Sequence, residues 1–156
     1  MVISFERIIR RRENMNNVEI QDEFWGMIVK DRDIDLYTCR KLLKGEEIEV
    51  AFMPDEDDLH EVIENAKVIF AHLEENDMAF REYAADEILN HCREYIAEGA
   101  VMTKEELANR MWIESFSVGS GKSFDLSYND DGICGNHIIM VFVDEQGEPC
   151  GVDIAG

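Results

Sequence analysis

WIESFSVGSGKSFDLSYNDDGICGNHIIMVFVDEQGEPCGVDIAG, residues 112–156, is the stretch that decides the fold. Phe124, Leu126 and Tyr128 alternate with Ser123, Asp125 and Ser127, the period of a strand with one dry and one wet face. The same reading gives strands over residues 112–118, 123–128, 137–144 and 151–155. They are joined at Gly119-Ser120-Gly121, Asp130-Asp131-Gly132 and Glu145-Gln146-Gly147, which is the turn chemistry of successive hairpins. A four-stranded antiparallel C-terminal β meander follows. Residues 138–143 are apolar at every position, which predicts a central strand covered on both faces. The second cover would be an N-terminal meander or a partner subunit.

Upstream, residues 24–30, 35–41 and 46–53 read as three short strands. The third alternates Ile48, Val50 and Phe52 against Glu47, Glu49 and Ala51. Pro54 stops it, and Asp55, Glu56, Asp57 and Asp58 place negative charge where a helix presents its positive end, so a helix starts near Asp57. Leu59, Val62, Ile63, Ala66, Phe70 and Leu73 form one apolar stripe at three- and four-residue steps. A second stripe, Met78, Ala85, Ile88, Leu89, Cys92, Tyr95 and Ile96, predicts a second helix that Gly99 ends. Thr103 and Glu106 make a capping box for a short third helix through Met111. The expected class is therefore α+β: an N-terminal β meander, two longer helices and one short helix, then the C-terminal meander, with the helices covering the sheet. A basic arm over residues 1–17 precedes one domain over residues 18–156, a length that supports one continuous core.

The composition, 46% hydrophobic and 32% charged with 2 Pro, suits a folded domain rather than disorder or a repeat. No stretch reaches the ~18 apolar residues of a membrane span, and charges interrupt the first residues where a signal peptide needs an apolar core, so a cytoplasmic location is expected. Cys39, Cys92, Cys134 and Cys150 lack paired spacing, which suits reduced thiols. Asp plus Glu number 35 against 15 Lys plus Arg, a formal net charge of -20. Because Arg7, Arg10, Arg11 and Arg12 sit in the arm, the remaining body is more acidic still. That field repels phosphate backbones and anionic membranes, so nucleic acid and membrane are disfavoured as partners. Solubility is the preferred account of the charge itself, recruitment of a basic protein partner is the second, and a homodimer is allowed.

Four patterns bear on chemistry. Gly119-Ser120-Gly121-Lys122-Ser123 copies the end of a phosphate-binding loop, but Phe116 stands where the first glycine belongs and a strand, not a helix, follows. Cys134 and His137 give a C-x-x-H spacing, half of a tetrahedral zinc site, with Asp130, Asp131, Cys150 or the His91-Cys92 pair as further ligands; no second matched pair exists, so no metal is expected. Cys134 beside His137, Asp130, Asp131 and Asp153 holds the ingredients of a thiol hydrolase. A reactive thiolate wants positive charge nearby, however, and Lys122 is the one Lys or Arg from Trp112 to Gly156. The carboxylate runs Asp55 to Asp58 and Asn129-Asp130-Asp131-Gly132 lack the alternating ligands and distal Glu of a calcium loop. No cofactor is expected.

Residues 123–132 (SFDLSYNDDG), 137–141 (HIIMV) and 151–156 (GVDIAG) resemble the C-terminal signature of a bacterial family, domain of unknown function 2262. Its members pair a Phe-containing strand and a Tyr-Asp-Asp turn with a Gly-His-Ser-Ile-type strand and a terminal Ile-Ala-Gly. Phe24-Trp25-Gly26, the strand over residues 47–52 and the helix pair fit it too, so the resemblance runs from about Asp22. One departure is Asn136, where the family usually has glycine; Asn tolerates a left-handed backbone, so the turn can survive. The resemblance implies a bacterial cytosolic protein of similar fold and carries no activity with it.

The polar residues in that signature, Tyr128, Asp130, Asp131, His137 and Asp153, are the candidate site. His137 can act there as a general base oriented by a carboxylate, or it can hydrogen-bond the aspartates and pin the hairpin. The preferred reading is pinning. Two functions follow: a non-enzymatic acidic protein-binding module, of which an inhibitor or immunity protein is one form, or a small hydrolase or metal-dependent enzyme using Asp130, Asp131 and His137.

Overall fold

The computed structural model describes residues 18–55, 58–96, 102–135 and 137–155. The elements are β1 (Glu19–Asp22), β2 (Gly26–Lys30), β3 (Tyr37–Leu43), β4 (Glu46–Met53), α1 (Leu59–His91), a 3-10 turn (Arg93–Tyr95), α2 (Lys104–Arg110), β5 (Trp112–Gly119), β6 (Phe124–Asn129), β7 (Ile138–Val143) and β8 (Pro149–Ala155). The strands lie side by side in sequence order as one eight-stranded sheet. Every neighbouring pair is antiparallel except β4 and β5, which run parallel because α1 and α2 carry the chain back across the sheet. The class is thus α+β, but the expected meanders are two halves of one sheet.

β1 was not expected. Its signal is the alternation Ile20 inward, Gln21 outward, Asp22 inward. The Asp22 carboxylate accepts from the backbone N–H groups of Phe24 at 2.8 Å and Trp25 at 2.9 Å, so Phe24 and Trp25 form a turn instead of opening β2. Trp25 is thereby swung into the core, where its indole N–H donates to the Ile63 carbonyl at 3.3 Å and its ring meets Phe52 and Phe70 edge-on.

The two longer helices expected from the sequence are one helix of 33 residues. Between the stripes lie Glu74, Glu75, Asn76 and Asp77, with no Gly or Pro to break the ladder. Asn76 turns its amide back onto the His72 carbonyl at 2.9 Å, and Asp77 is buried on the stripe itself. The inward face runs Val62, Ala66, Ile69, Leu73, Asp77, Phe80, Ala84 and Ile88, so Met78 falls off the stripe and is exposed. The helix ends at His91, and Tyr95 and Ile96 lie in and after the 3-10 turn. Its N-cap is Asp58, whose side chain makes no cap hydrogen bond. The helix stop expected at Gly99, the start at Asp57, the turn at Asn136 and the arm over residues 1–17 lie outside the described residues. The capping box of α2 forms as read: Glu106 N–H donates to Thr103 Oγ1 at 3.1 Å, and Thr103 N–H to Glu106 Oε2 at 3.4 Å.

α1 and α2 cover one face of the sheet, and the buried cluster lies between. Within the described residues of this chain β7 is covered on one face, and the N-terminal meander is not the second cover. Ile139, Val141 and Val143 are buried, while Ile138 is exposed and Met140 and Phe142 are half-buried. The N-terminal meander extends the sheet edge to edge, and no described element lies over its outer face.

Candidate functional site

Each polar residue of the signature is placed by a different local need. Tyr128 points inward from β6, buried, and its hydroxyl donates to Asp77 Oδ1 at 2.8 Å; the other oxygen of Asp77 pairs with Arg81 at 2.7 Å. Burial, and then the neighbouring Asp77 carboxylate, push the Tyr128 phenol well above its ordinary value, so it stays a neutral donor. This Tyr128–Asp77–Arg81 chain fastens the middle of α1 to the middle of the sheet.

Asp130 is buried at the end of β6 and spends both oxygens on the turn. Oδ1 accepts from Gly132 N–H at 3.1 Å and Oδ2 from Cys134 N–H at 2.6 Å. Asp131, at φ 59, and Gly132, at φ 79, carry the chain through the left-handed region, which Asp and Gly tolerate best. The exposed Asp131 carboxylate meets Arg110 of α2 at 3.3 Å. His137 is half-buried: its Nδ1 lies 2.8 Å from the Cys134 carbonyl, so that nitrogen carries the proton, and its ring stands edge-on to Tyr95 at 5.4 Å. Asp153 is exposed on β8, opposite Met140. Tyr128 and Asp153 therefore leave opposite faces of the sheet, and neither shares a described contact with His137.

The thiols of this corner are not primed for attack. Burial, followed by the hydrogen bond and charge of Asp130, pushes Cys134 up to about 12, and burial with Glu94 raises Cys92. Among the described residues no group of three His, Cys, Asp or Glu side chains has the spacing to hold a metal ion. The four cysteines are unpaired thiols. The glycine-serine-lysine run is the tip of the β5–β6 hairpin and leads into a strand. Its Ser120 hydroxyl donates to the Asp58 carboxylate and accepts from Asp55 N–H at 3.0 Å, tying the hairpin to the start of α1.

Sequence reasoning passed over a second polar region, at the N-terminal end of β5 where the parallel seam begins. A groove of about 450 Å³ lies there between Arg40, Glu46, Glu47, Glu49, Trp112 and Glu114. Arg40 is held by Glu47 at 3.3 Å, and Glu114 accepts from the Asn129 amide at 3.0 Å. Glu46 and Glu49 have no hydrogen-bond or ion-pair partner among the described residues, and Trp112 is 42% exposed beside them. The available signal was the outward set Glu47 and Glu49 of β4, but the seam that adds Trp112 and Glu114 leaves no mark in local periodicity.

Fold and clusters together define an α+β protein whose sheet is helix-covered on one face and, on the other, open and acidic at one end. The chain belongs to the family of uncharacterised proteins conserved in bacteria termed domain of unknown function 2262, whose family model matches residues 22–154. No curated protein and no solved structure matches it. Among the described residues no helix is long and apolar enough to cross a membrane.

Proposed function

We propose that this protein is a cytoplasmic, non-enzymatic binding module that recognises a basic protein through the open face of its sheet, in the manner of an inhibitor or immunity protein. The observation that carries the reading is the groove at the parallel seam. Four glutamates and one arginine line it, and the exposed Trp112 ring offers a face on which a guanidinium can stack. An arginine from a partner would gain the carboxylates of Glu46 and Glu49 and the indole together, without displacing an existing ion pair. The net charge of -20 adds long-range steering toward a cationic surface and disfavours nucleic acid and anionic membranes. The alternative, a hydrolase or metal-dependent enzyme on Asp130, Asp131 and His137, lacks a carboxylate on the histidine: Asp130 is spent on the turn, Asp131 pairs with Arg110, and the His137 ring is oriented by the Cys134 carbonyl instead.

The test is affinity capture from the native bacterium at low and moderate salt, run in parallel with the wild type and a Glu46→Gln, Glu49→Gln, Trp112→Ala variant. A stoichiometric basic protein retained by the wild type, weakened by salt and lost by the variant is the expected outcome. Equal retention by both would sink the reading.

A further inference from the structure

A second cleft, of about 320 Å³, opens on the other side of the molecule, between the first half of α1 and the tips of the β5–β6 and β7–β8 hairpins. Its size falls at the lower end of the ~300–1,000 Å³ common for small-ligand sites. Ile69 and Phe124, both buried, form the apolar floor, and Val68, 73% exposed, stands on the wall as an apolar side chain facing water. The far end is built rigidly. His72 Nε2 lies 3.0 Å from the Gly147 carbonyl and so carries the proton, leaving Nδ1 to accept from the Asn76 amide at 3.2 Å. Both ring nitrogens are thus committed, and the histidine shapes the cleft without being offered to a ligand. Gly147, at φ +81, makes this approach possible, because a Cβ there would lie 2.8 Å from His72 Nε2.

The rim carries opposite charges that leave each other alone. Lys122 from one hairpin and Glu145 from the other both line the cleft, and a Glu145 carboxylate oxygen lies 3.7 Å from where a Cβ on Gly121, next to Lys122, would be. Among the described residues neither makes an ion pair or side-chain hydrogen bond, with the other or with any third group. Both side chains are exposed, so a ligand can meet the two charges without first breaking an ion pair.

We propose that this cleft binds a free α-amino acid with an apolar side chain. The ligand's carboxylate would meet the Lys122 ammonium, its ammonium the Glu145 carboxylate, and its side chain the surface of Ile69, Val68 and Phe124. Complementarity selects the zwitterion: a simple anion would face Glu145 and the acidic body, and a simple cation would face Lys122. This inference does not rest on the protein-binding reading, whose groove lies elsewhere on the molecule.

The probes are L-leucine and L-phenylalanine, followed by amide chemical shifts of the full chain. Both should perturb Ile69, Phe124 and Gly147 in a saturable way, with the acidic groove unmoved. Leucinamide, which lacks the carboxylate, and N-acetyl-leucine, which lacks the ammonium, should each bind about two- to fivefold more weakly, the scale of one lost solvent-exposed ion pair. Lys122→Met should abolish the preference of leucine over leucinamide, and Glu145→Gln that of leucine over N-acetyl-leucine. The ligand series keeps the test decisive even if a variant misfolds. Absence of saturable shifts at the cleft with either amino acid, or equal affinity for leucine and its two blocked forms, would overturn the proposal.

Discussion

Across β4, β5, β6 and β7 the inner face presents Val50, Phe116, Leu126 and Val141 in one row, while one residue further along the outer face presents Ala51, Ser117, Asp125 and Phe142. The first row meets α1 and is fully buried; the second is half-buried except for Ala51, which is buried, and mixes small, charged and aromatic side chains. The pleat alone separates them, so the same four strands hold the fold on one side and display chemistry on the other. The inner face even absorbs an ionic group, Asp77, by giving both of its oxygens partners. The outer groove leaves Glu46 and Glu49 without any among the described residues. Substitutions inside should therefore cost stability, and substitutions outside should cost recognition.

The sharpest break in that contrast is Asp77→Ala. It leaves the buried Tyr128 hydroxyl and the half-buried Arg81 guanidinium without their shared partner, and urea denaturation should show a loss of about 3 kcal/mol. Tyr128→Phe removes one donor and leaves the Asp77–Arg81 pair, so its cost should be smaller, about 1–2 kcal/mol. A near-zero value for Asp77→Ala would mean that the polar chain does not fasten helix to sheet. Next comes Gly147→Ala, with a strained left-handed backbone and a methyl pressed on the His72 ring; the same denaturation should report about 1–2 kcal/mol.

On the outer side, the Glu46→Gln, Glu49→Gln pair should change stability by less than about 0.5 kcal/mol while lowering salt-sensitive partner retention. The smallest effect belongs to Asp125. Burial raises its carboxyl above the usual value of 3.8, so the folded state holds the proton more tightly than the unfolded chain. Its contribution is favourable below 3.8 and is lost as pH rises through the folded value. Asp125→Asn should then raise the melting temperature slightly at neutral pH, and the difference should vanish in acid. A variant less stable than wild type at pH 7 would reverse that sign and show that the carboxylate has a partner it needs.

Much of the architecture is legible in the sequence, for identifiable reasons. Hairpin turns and the Thr103–Glu106 capping box are written within a few residues, so the last four strands and α2 emerged within one or two residues of their ends. α1 reads as two helices because its apolar stripe passes through Asp77, a charged residue that faces inward and is satisfied by Tyr128, 51 residues away. The parallel join of β4 to β5 pairs segments far apart in sequence, and periodicity carries no information about such a pairing. For the same reason the grouping of Glu46, Glu49, Trp112 and Glu114 was invisible. The candidate residues, by contrast, share a sequence signature, and a shared signature does not by itself put side chains on one face. Alternation sends Tyr128 and Asp153 to opposite faces of the sheet.

The single parallel seam also bears on how the molecule assembles. Every other strand pair closes a short loop, whereas β4 can meet β5 only after the long helix has folded back and brought the chain from Met53 to Trp112. Each half of the sheet can zip from its own hairpins, and the join between them carries the large entropic toll. Amide hydrogens along Glu49–Met53 and Ser115–Gly119 thus belong to the step that commits the chain, and the groove beside Trp112 comes into being only when that step is complete.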